Sequence, residues 1–154
     1  MVRRFILCVD DDIVQLGLHR ALLETSGYEV ATCQNGPQSL EIFRAREVGL
    51  VVLDYAMPRM NGAEVARAMR LERVNVPIIM LSGQAERPAG VLDAVDAYIS
   101  KGGNPNRLLS VIASLMERAS AVATLERKPV QSSSAAERKS PETKNNQRLS
   151  GVKP

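Results

Sequence analysis

Aromatic residues are scarce in this chain of 154 residues, and tryptophan is absent. Aromatics make up 3% of the residues and hydrophobic residues 45%, so the core must be built from aliphatic side chains and methionine. A chain of this length accommodates one compact domain and leaves too little for a second folded domain of ordinary size. We therefore expect a single hydrophobic core.

Cysteines and long apolar runs are also few. Cys8 and Cys33 are the two cysteines, and both lie in apolar, strand-like segments, which favours buried reduced thiols over a disulfide framework. No uninterrupted apolar run approaches the roughly 20 residues that cross a bilayer. Acidic residues follow the N-terminus too closely for a signal-peptide core. We expect a cytoplasmic protein with no membrane partner.

The charge is divided unevenly along the chain. Residues 1–126 carry 13 Lys and Arg against 15 Asp and Glu, a net charge of −2, whereas residues 127–154 carry 7 against 2, a net charge of +5. The basic segment is rich in Ser, Pro, Asn and Lys and too poor in large apolar residues to offset its ordering entropy. We predict a folded domain over 1–122 and a disordered basic tail over 123–154, without nucleic acid as an expected partner.

Short β-rich runs alternate with helical patterns, which is typical of an α/β fold. Several of these runs are apolar on both faces, as in parallel strands that are covered by helices on each side. The predicted strands are 5–9, 28–33, 50–53, 78–81 and 97–100.

Start and stop residues place the helices between these strands. The first helix covers 13–26 before a glycine, the second and the last begin with Pro37 and Pro105, and the third follows Gly62. The connection between the fourth and fifth strands is the weakest, because a proline and a glycine leave room for barely two helical turns.

Polar residues stand where four of the predicted strands end. Asp10 and Asp11 follow the first strand, Asp54 the third, Ser82 the fourth and Lys101 the fifth. Ligands of open parallel sheets bind beyond these carboxyl ends. Three neighbouring carboxylates repel one another unless a hard cation such as Mg²⁺ binds among them. With a lysine beside it, such a site would also attract a phosphoryl group.

Four motifs at this edge resemble the receiver domains of response regulators in two-component signalling. "ILCVDDD" is similar to the family's first strand and acidic pair, "VVLDYAMPRMNG" to its phosphoacceptor strand, and "IIMLSG" and "AYISK" to its fourth and fifth strands. The resemblance covers roughly residues 3–120. It implies a flavodoxin-like, five-stranded parallel sheet of order 2-1-3-4-5 with helices on both faces, in a stand-alone regulator of the chemotaxis type.

The resemblance also implies the role of each site residue. Asp54 would be the phosphoacceptor that forms an acyl phosphate. Asp11 would bind Mg²⁺ directly, Asp10 through water, and the carboxylate of Asp54 and the backbone carbonyl of Ala56 would complete the protein ligands. Lys101 would pair with the phosphoryl group.

Two further residues would transmit the signal. Ser82 would donate a hydrogen bond to a phosphoryl oxygen, and Tyr98 would be the aromatic residue that rotates in response from a solvent-facing to an inward position. The implied partners are a sensor histidine kinase or a histidine phosphotransfer protein and a downstream protein target. Phosphotransfer to itself and autodephosphorylation would be the only chemistry, so we do not expect an enzyme.

Three departures from the family pattern are visible. Lys101 is followed by Gly102 and Gly103, where the family usually has a cis proline, and a cis bond without proline costs about 3–4 kcal/mol. The interval from Ser82 to Lys101 is short for a full fourth helix. Ala56 cannot position an attacking water, because it has no polar side chain.

Two other functions compete with this interpretation. A haloacid-dehalogenase-type phosphatase would use Asp10 as nucleophile and Asp12 as acid/base, but it needs a later acidic pair, and no acid follows Lys101 until Glu117. It would also leave Asp54 unexplained. A non-phosphorylated, receiver-like binding module is the other alternative, although such modules typically lose an acid or the lysine.

Overall fold

The computed structural model describes residues 4–84 and 87–127. Five parallel strands form one sheet in the order β2-β1-β3-β4-β5, which confirms the predicted fold and strand order. The strands are β1 (Phe5–Val9), β2 (Glu29–Cys33), β3 (Leu50–Asp54), β4 (Ile78–Ser82) and β5 (Ala97–Ser100), and the helices of the described residues are α1 (Ile13–Thr25), α2 (Gly36–Ala45), α3 (Gly62–Glu72) and α4 (Pro105–Glu126).

Helices cover both faces of the sheet and create two apolar layers. Every residue of β1, β3 and β4 is buried, because alternate side chains of a parallel strand enter opposite layers. Leu7 packs in the layer of α2 and α3 with Phe43 and Met69, whereas Ile6 packs in the layer of α1 and α4 with Ile112.

Local hydrogen bonds explain where two helices begin. The carboxylate of Asp12 accepts hydrogen bonds from the backbone of Val14 at 2.8 Å and of Gln15 at 3.3 Å, so Asp12 caps α1. Asn61 and Glu64 form a reciprocal capping box at the start of α3. Both caps fix helix N-termini at the edge of the sheet where the polar residues collect.

The connection between β4 and β5 contains no helix in its described part, residues 83–84 and 87–96. Its backbone makes two tight turns, with hydrogen bonds from Val91 to Pro88 and from Ala94 to Val91. Gly90 has a φ of +75°, a conformation that glycine tolerates and a helix does not. The segment in which the sequence allowed at most two helical turns therefore forms tight non-helical turns. The side chains of Val91 and Ala94 are nevertheless buried.

Arg70 holds this connection against the rest of the domain. Its guanidinium donates to the backbone carbonyls of Val74 and Val76, both at 2.8 Å, and of Ala94 at 3.1 Å. It also forms an ion pair with Asp96, whose carboxylate accepts the first backbone N–H of β4. One side chain thus joins α3, the start of β4 and the segment before β5.

Helix α4 extends beyond the boundary expected after residue 122. It continues to Glu126, because Val122 and Leu125 prolong its apolar pattern and no proline occurs between Pro105 and Pro129. Residues 123–126 are thus helical, and residues 128–154 of the predicted tail lie outside the described residues. Within the described part of the chain, α4 is the one helix long and apolar enough to cross a membrane by length and composition. Its buried residues pack on the sheet.

We expect Arg70→Ala to lower the free energy of unfolding by about 2–3 kcal/mol, because several backbone acceptors and a carboxylate lose a charged donor. Arg20→Ala is the matched control, since Arg20 pairs only with the exposed Glu24 among the described residues and should change stability by less than about 1 kcal/mol. Urea denaturation measures both values. Equal effects of the two substitutions would contradict the role of Arg70.

Candidate functional site

Four strands deliver polar groups to one edge of the sheet. Asp54 and Ser82 are the last residues of β3 and β4, Asp10 follows β1, and Lys101 follows β5. The Lys101 ammonium lies 2.8 Å from Asp10 Oδ2 and 2.8 Å from Asp54 Oδ1. The two carboxylates are almost fully buried, with 2% and 3% exposure, so the lysine compensates charges that water cannot reach.

Asp11 completes a cluster of three carboxylates. One oxygen each of Asp10, Asp11 and Asp54 lies within 4.8 Å of the others, and Asp11 is exposed while the other two are buried. Three negatively charged oxygens of this kind suit a hard divalent cation, and the open side at Asp11 leaves room for retained water ligands. The donor set therefore fits Mg²⁺.

The electrostatics of the site favour the binding of a cation. Burial raises the pKa of Asp54, and the nearby charge of Asp10 adds to this, while the hydrogen bonds from Lys101 and the Ala56 backbone act in the opposite direction. Burial alone would lower the pKa of Lys101, but its bonds to the two aspartates raise it. Lys101 is thus held as a cation, and three carboxylates facing one ammonium leave excess negative charge.

Gly62 allows the backbone after β3 to return close to the phosphoacceptor position. Its N–H donates to the carbonyl of Tyr55 at 2.9 Å, and a Cβ at this position would overlap with the carbonyl oxygen of Asp54. Sequence reasoning marked Gly62 only as a motif residue before a helix. Its steric role emerges only from the folded chain.

Ser82 and Tyr98 lie on the paired strands β4 and β5, with Ser82 at the end of β4 and Tyr98 within β5. Ser82 is 1% exposed, and its hydroxyl accepts the N–H of Gln84 at 3.1 Å. Tyr98 points inward with 9% exposure, and its hydroxyl has no hydrogen-bond partner among the described residues. The Arg87 guanidinium lies 5.6 Å from its ring centre. The structure thus shows the inward position of Tyr98 and not a solvent-facing one.

The loop after Lys101 positions the lysine without a cis bond, since none occurs in the described residues. Gly102 adopts a φ of +82° instead, which a residue with a Cβ rarely does. The backbone N–H of Lys101 donates to the backbone carbonyl of Ser82 at 2.7 Å. This bond extends the β4–β5 pairing up to the lysine.

The profile described as "Response regulator receiver domain" matches residues 6–113. The chain belongs to this family. A receiver domain protein (CheY-like) from Methanospirillum hungatei JF-1 is 31% identical, with a TM-score of 0.73 over 77% of this chain and 97% of that one. The response regulator TrrA from Thermotoga maritima, solved with Mg²⁺-BeF, is 33% identical, with a TM-score of 0.69 over 72% and 97%.

Curated receiver relatives are longer proteins. The probable transcriptional regulator ycf27 of Porphyra purpurea is 38% identical over 77% of this chain and 50% of its own length. The regulatory protein PhoP of Bacillus subtilis (strain 168), named for alkaline phosphatase synthesis, is 31% identical over 73% and 48%. The chain thus spans about half the length of the curated relatives it matches.

We expect Gly62→Ala to destabilise the receiver by about 1–3 kcal/mol, because the added methyl group forces the backbone away from Asp54. Gly17→Ala is the matched control: nothing lies within 4 Å of a Cβ at Gly17, and alanine should stabilise the middle of α1 by up to about 1 kcal/mol. Thermal unfolding compares the two. A neutral Gly62→Ala would show that the close approach is not required.

Proposed function

We propose that this receiver is a phosphorylation-activated regulator that accepts a phosphoryl group onto Asp54 from a histidine kinase or a histidine phosphotransfer protein. The observation that carries the proposal is the bridge of Lys101 between Asp10 and Asp54, with Asp11 completing the acidic cluster. The arrangement combines a buried nucleophile, a fixed cation and a site for Mg²⁺. Its chemistry is self-phosphotransfer and autodephosphorylation.

In the proposed reaction, a carboxylate oxygen of Asp54 attacks the phosphorus atom while the bond between phosphorus and the donor breaks. The donor leaves with the bonding electron pair, and an acyl phosphate remains on Asp54. Asp10, Asp11, Asp54 and the carbonyl of Ala56 would hold Mg²⁺, which supplies neutralisation of the phosphoryl charge when bound. The Lys101 ammonium exchanges its bond to Asp54 for one to a phosphoryl oxygen.

The signal would leave the site through Ser82. Its buried hydroxyl stands at the end of β4, and a phosphoryl oxygen beside Asp54 would attract it by a charge-assisted hydrogen bond. Movement of Ser82 would vacate space beside Tyr98 and so favour the inward position of its ring over a solvent-facing one. Partner proteins would then distinguish the phosphorylated from the unphosphorylated state by the surface around β5 and α4.

We also propose cytoplasmic action through protein contacts. The burial of Leu108, Ile112 and Met116 against the sheet supports α4 as part of the receiver and not as a membrane anchor. No observation in the described residues favours the phosphatase alternative: Lys101 contacts Asp10 and Asp54 at the same distance and so does not single out Asp10, while the match to the receiver family includes Asp54.

We expect a small phosphodonor with Mg²⁺ to add one phosphoryl group to the protein, and none to Asp54→Asn or in the presence of a chelator. Asp93→Asn is the control, because Asp93 is an exposed acid away from the cluster, and it should be phosphorylated normally. Intact-mass measurement followed by peptide mapping checks both amount and position. A phosphoryl group found on Asp10 would support the phosphatase alternative instead.

We expect Asp11→Ala to weaken Mg²⁺ binding at least about tenfold, because the cation loses a charged oxygen ligand. Asp12→Ala is the neighbouring control; it removes the cap of α1 and should cost about 1 kcal/mol of stability with little change in metal affinity. Calorimetric titration measures the affinities. Unchanged binding by Asp11→Ala would remove Asp11 from the metal site.

We expect Ser82→Ala to accept the phosphoryl group but to transmit less of the change. A phosphoryl mimic should shift amide resonances only in the loops around residues 10, 54 and 101 of this variant, because the donor that follows the phosphoryl oxygen is lost. In the unsubstituted protein and in the control Ser100→Ala, the shifts should reach Tyr98 and residues 105–116. Equal spread in Ser82→Ala would exclude this route.

A further inference from the structure

The distal half of α4 is apolar but poorly covered. From residue 117 to residue 126, no residue of this helix is buried. Val122 and Leu125 are 48% and 68% exposed. A helix that is apolar on more than its sheet-facing side is normally covered by another element.

A groove runs along this half of the helix. It has a volume of about 350 Å³ and lies between α4 and the segment that joins α3 to β4. Val74, on the far wall, is 69% exposed. The apolar residues that line the groove are Leu115, Ala119, Val122 and Ala123 from α4, and Val74 and Pro77 opposite.

Opposite charges flank the middle of the helical wall. Arg118 and Glu126 line the groove four residues before and after Val122, so the three side chains form one stripe along the helix. Neither Arg118 nor Glu126 forms an ion pair with another residue of the part of the chain that the structure describes.

This pattern is complementary to itself when a second α4 lies antiparallel to the first. If the two copies of Val122 face each other, residues at equal distances before and after this position meet. Arg118 then lies opposite Glu126 of the second copy, and the small Ala119 lies opposite the large Leu125. Two-fold symmetry makes each contact twice. A parallel pairing would place Arg118 against Arg118.

We propose that residues 118–126 of α4 form a homodimer interface, in which the helices of two copies pair antiparallel across Val122. The interface goes beyond the proposed phosphoacceptor function and does not require it. Val122 and Leu125 supply apolar contacts, the groove beside Val74 receives the partner's helix, and Arg118 and Glu126 select the antiparallel orientation.

Reversing the charges of Arg118 and Glu126 tests the proposal, with the monomer–dimer equilibrium of the full chain measured by analytical ultracentrifugation. The unsubstituted protein should dimerise below about 100 μM. Arg118→Glu and Glu126→Arg should each weaken the dimer at least about tenfold, because each reversal places like charges opposite each other. The double variant R118E/E126R should dimerise again. An equimolar mixture of the two single variants should form a heterodimer, since all opposing charges are then complementary.

Two further variants separate the interface from folding. Val122→Glu should abolish the dimer, and Glu117→Arg should preserve it, because Glu117 is nine residues from Glu126 and therefore on the opposite side of the helix. Circular dichroism should show equal helix content in all variants. A monomer at about 100 μM for the unsubstituted chain, or no rescue by the double variant and the mixture, would overturn the proposal. Phosphorylation of Asp54 in each variant reports the phosphoacceptor function separately.

Discussion

The central constraint on this receiver is the burial of two carboxylates side by side. Asp10 and Asp54 are nearly inaccessible to water, and without compensation their charges would repel each other and lose hydration. Lys101 resolves this by bonding both at 2.8 Å. The ends of β1, β3 and β5 must therefore meet at one level, which the parallel register of the sheet provides.

The surrounding backbone is built to hold this arrangement. Gly62 lets the chain pass close to the carbonyl of Asp54. Gly102, directly after Lys101, adopts a positive φ of +82°. At the opposite edge of the sheet, Arg70 joins α3 to the starts of β4 and β5. These contacts hold the backbone at both ends of the strands. They thereby help to keep Asp54 and Lys101 within hydrogen-bond distance of each other.

The connection between β4 and β5 is the part that differs from a fully helical crossover. Its described residues form turns, and they still bury Val91 and Ala94 beside Tyr98. The surface next to β5 therefore presents turns and the Arg87 side chain over the Tyr98 ring. Helix α4, in contrast, extends past the core with exposed apolar residues, so it offers the broader contact surface.

Local patterns in the sequence determined the five strands, the starts of the helices and the residue types at the strand ends, because alternation, glycines, prolines and caps act between near neighbours in the chain. The resemblance of its motifs supplied the strand order and the proposed roles. Tertiary structure alone decided the contact of Lys101 with Asp10, the steric need for Gly62, the turns before β5 and the length of α4. These features depend on contacts between residues that are far apart in the sequence, such as Lys101 and Asp10, which are 91 positions apart. Local sequence patterns carry no information on such contacts.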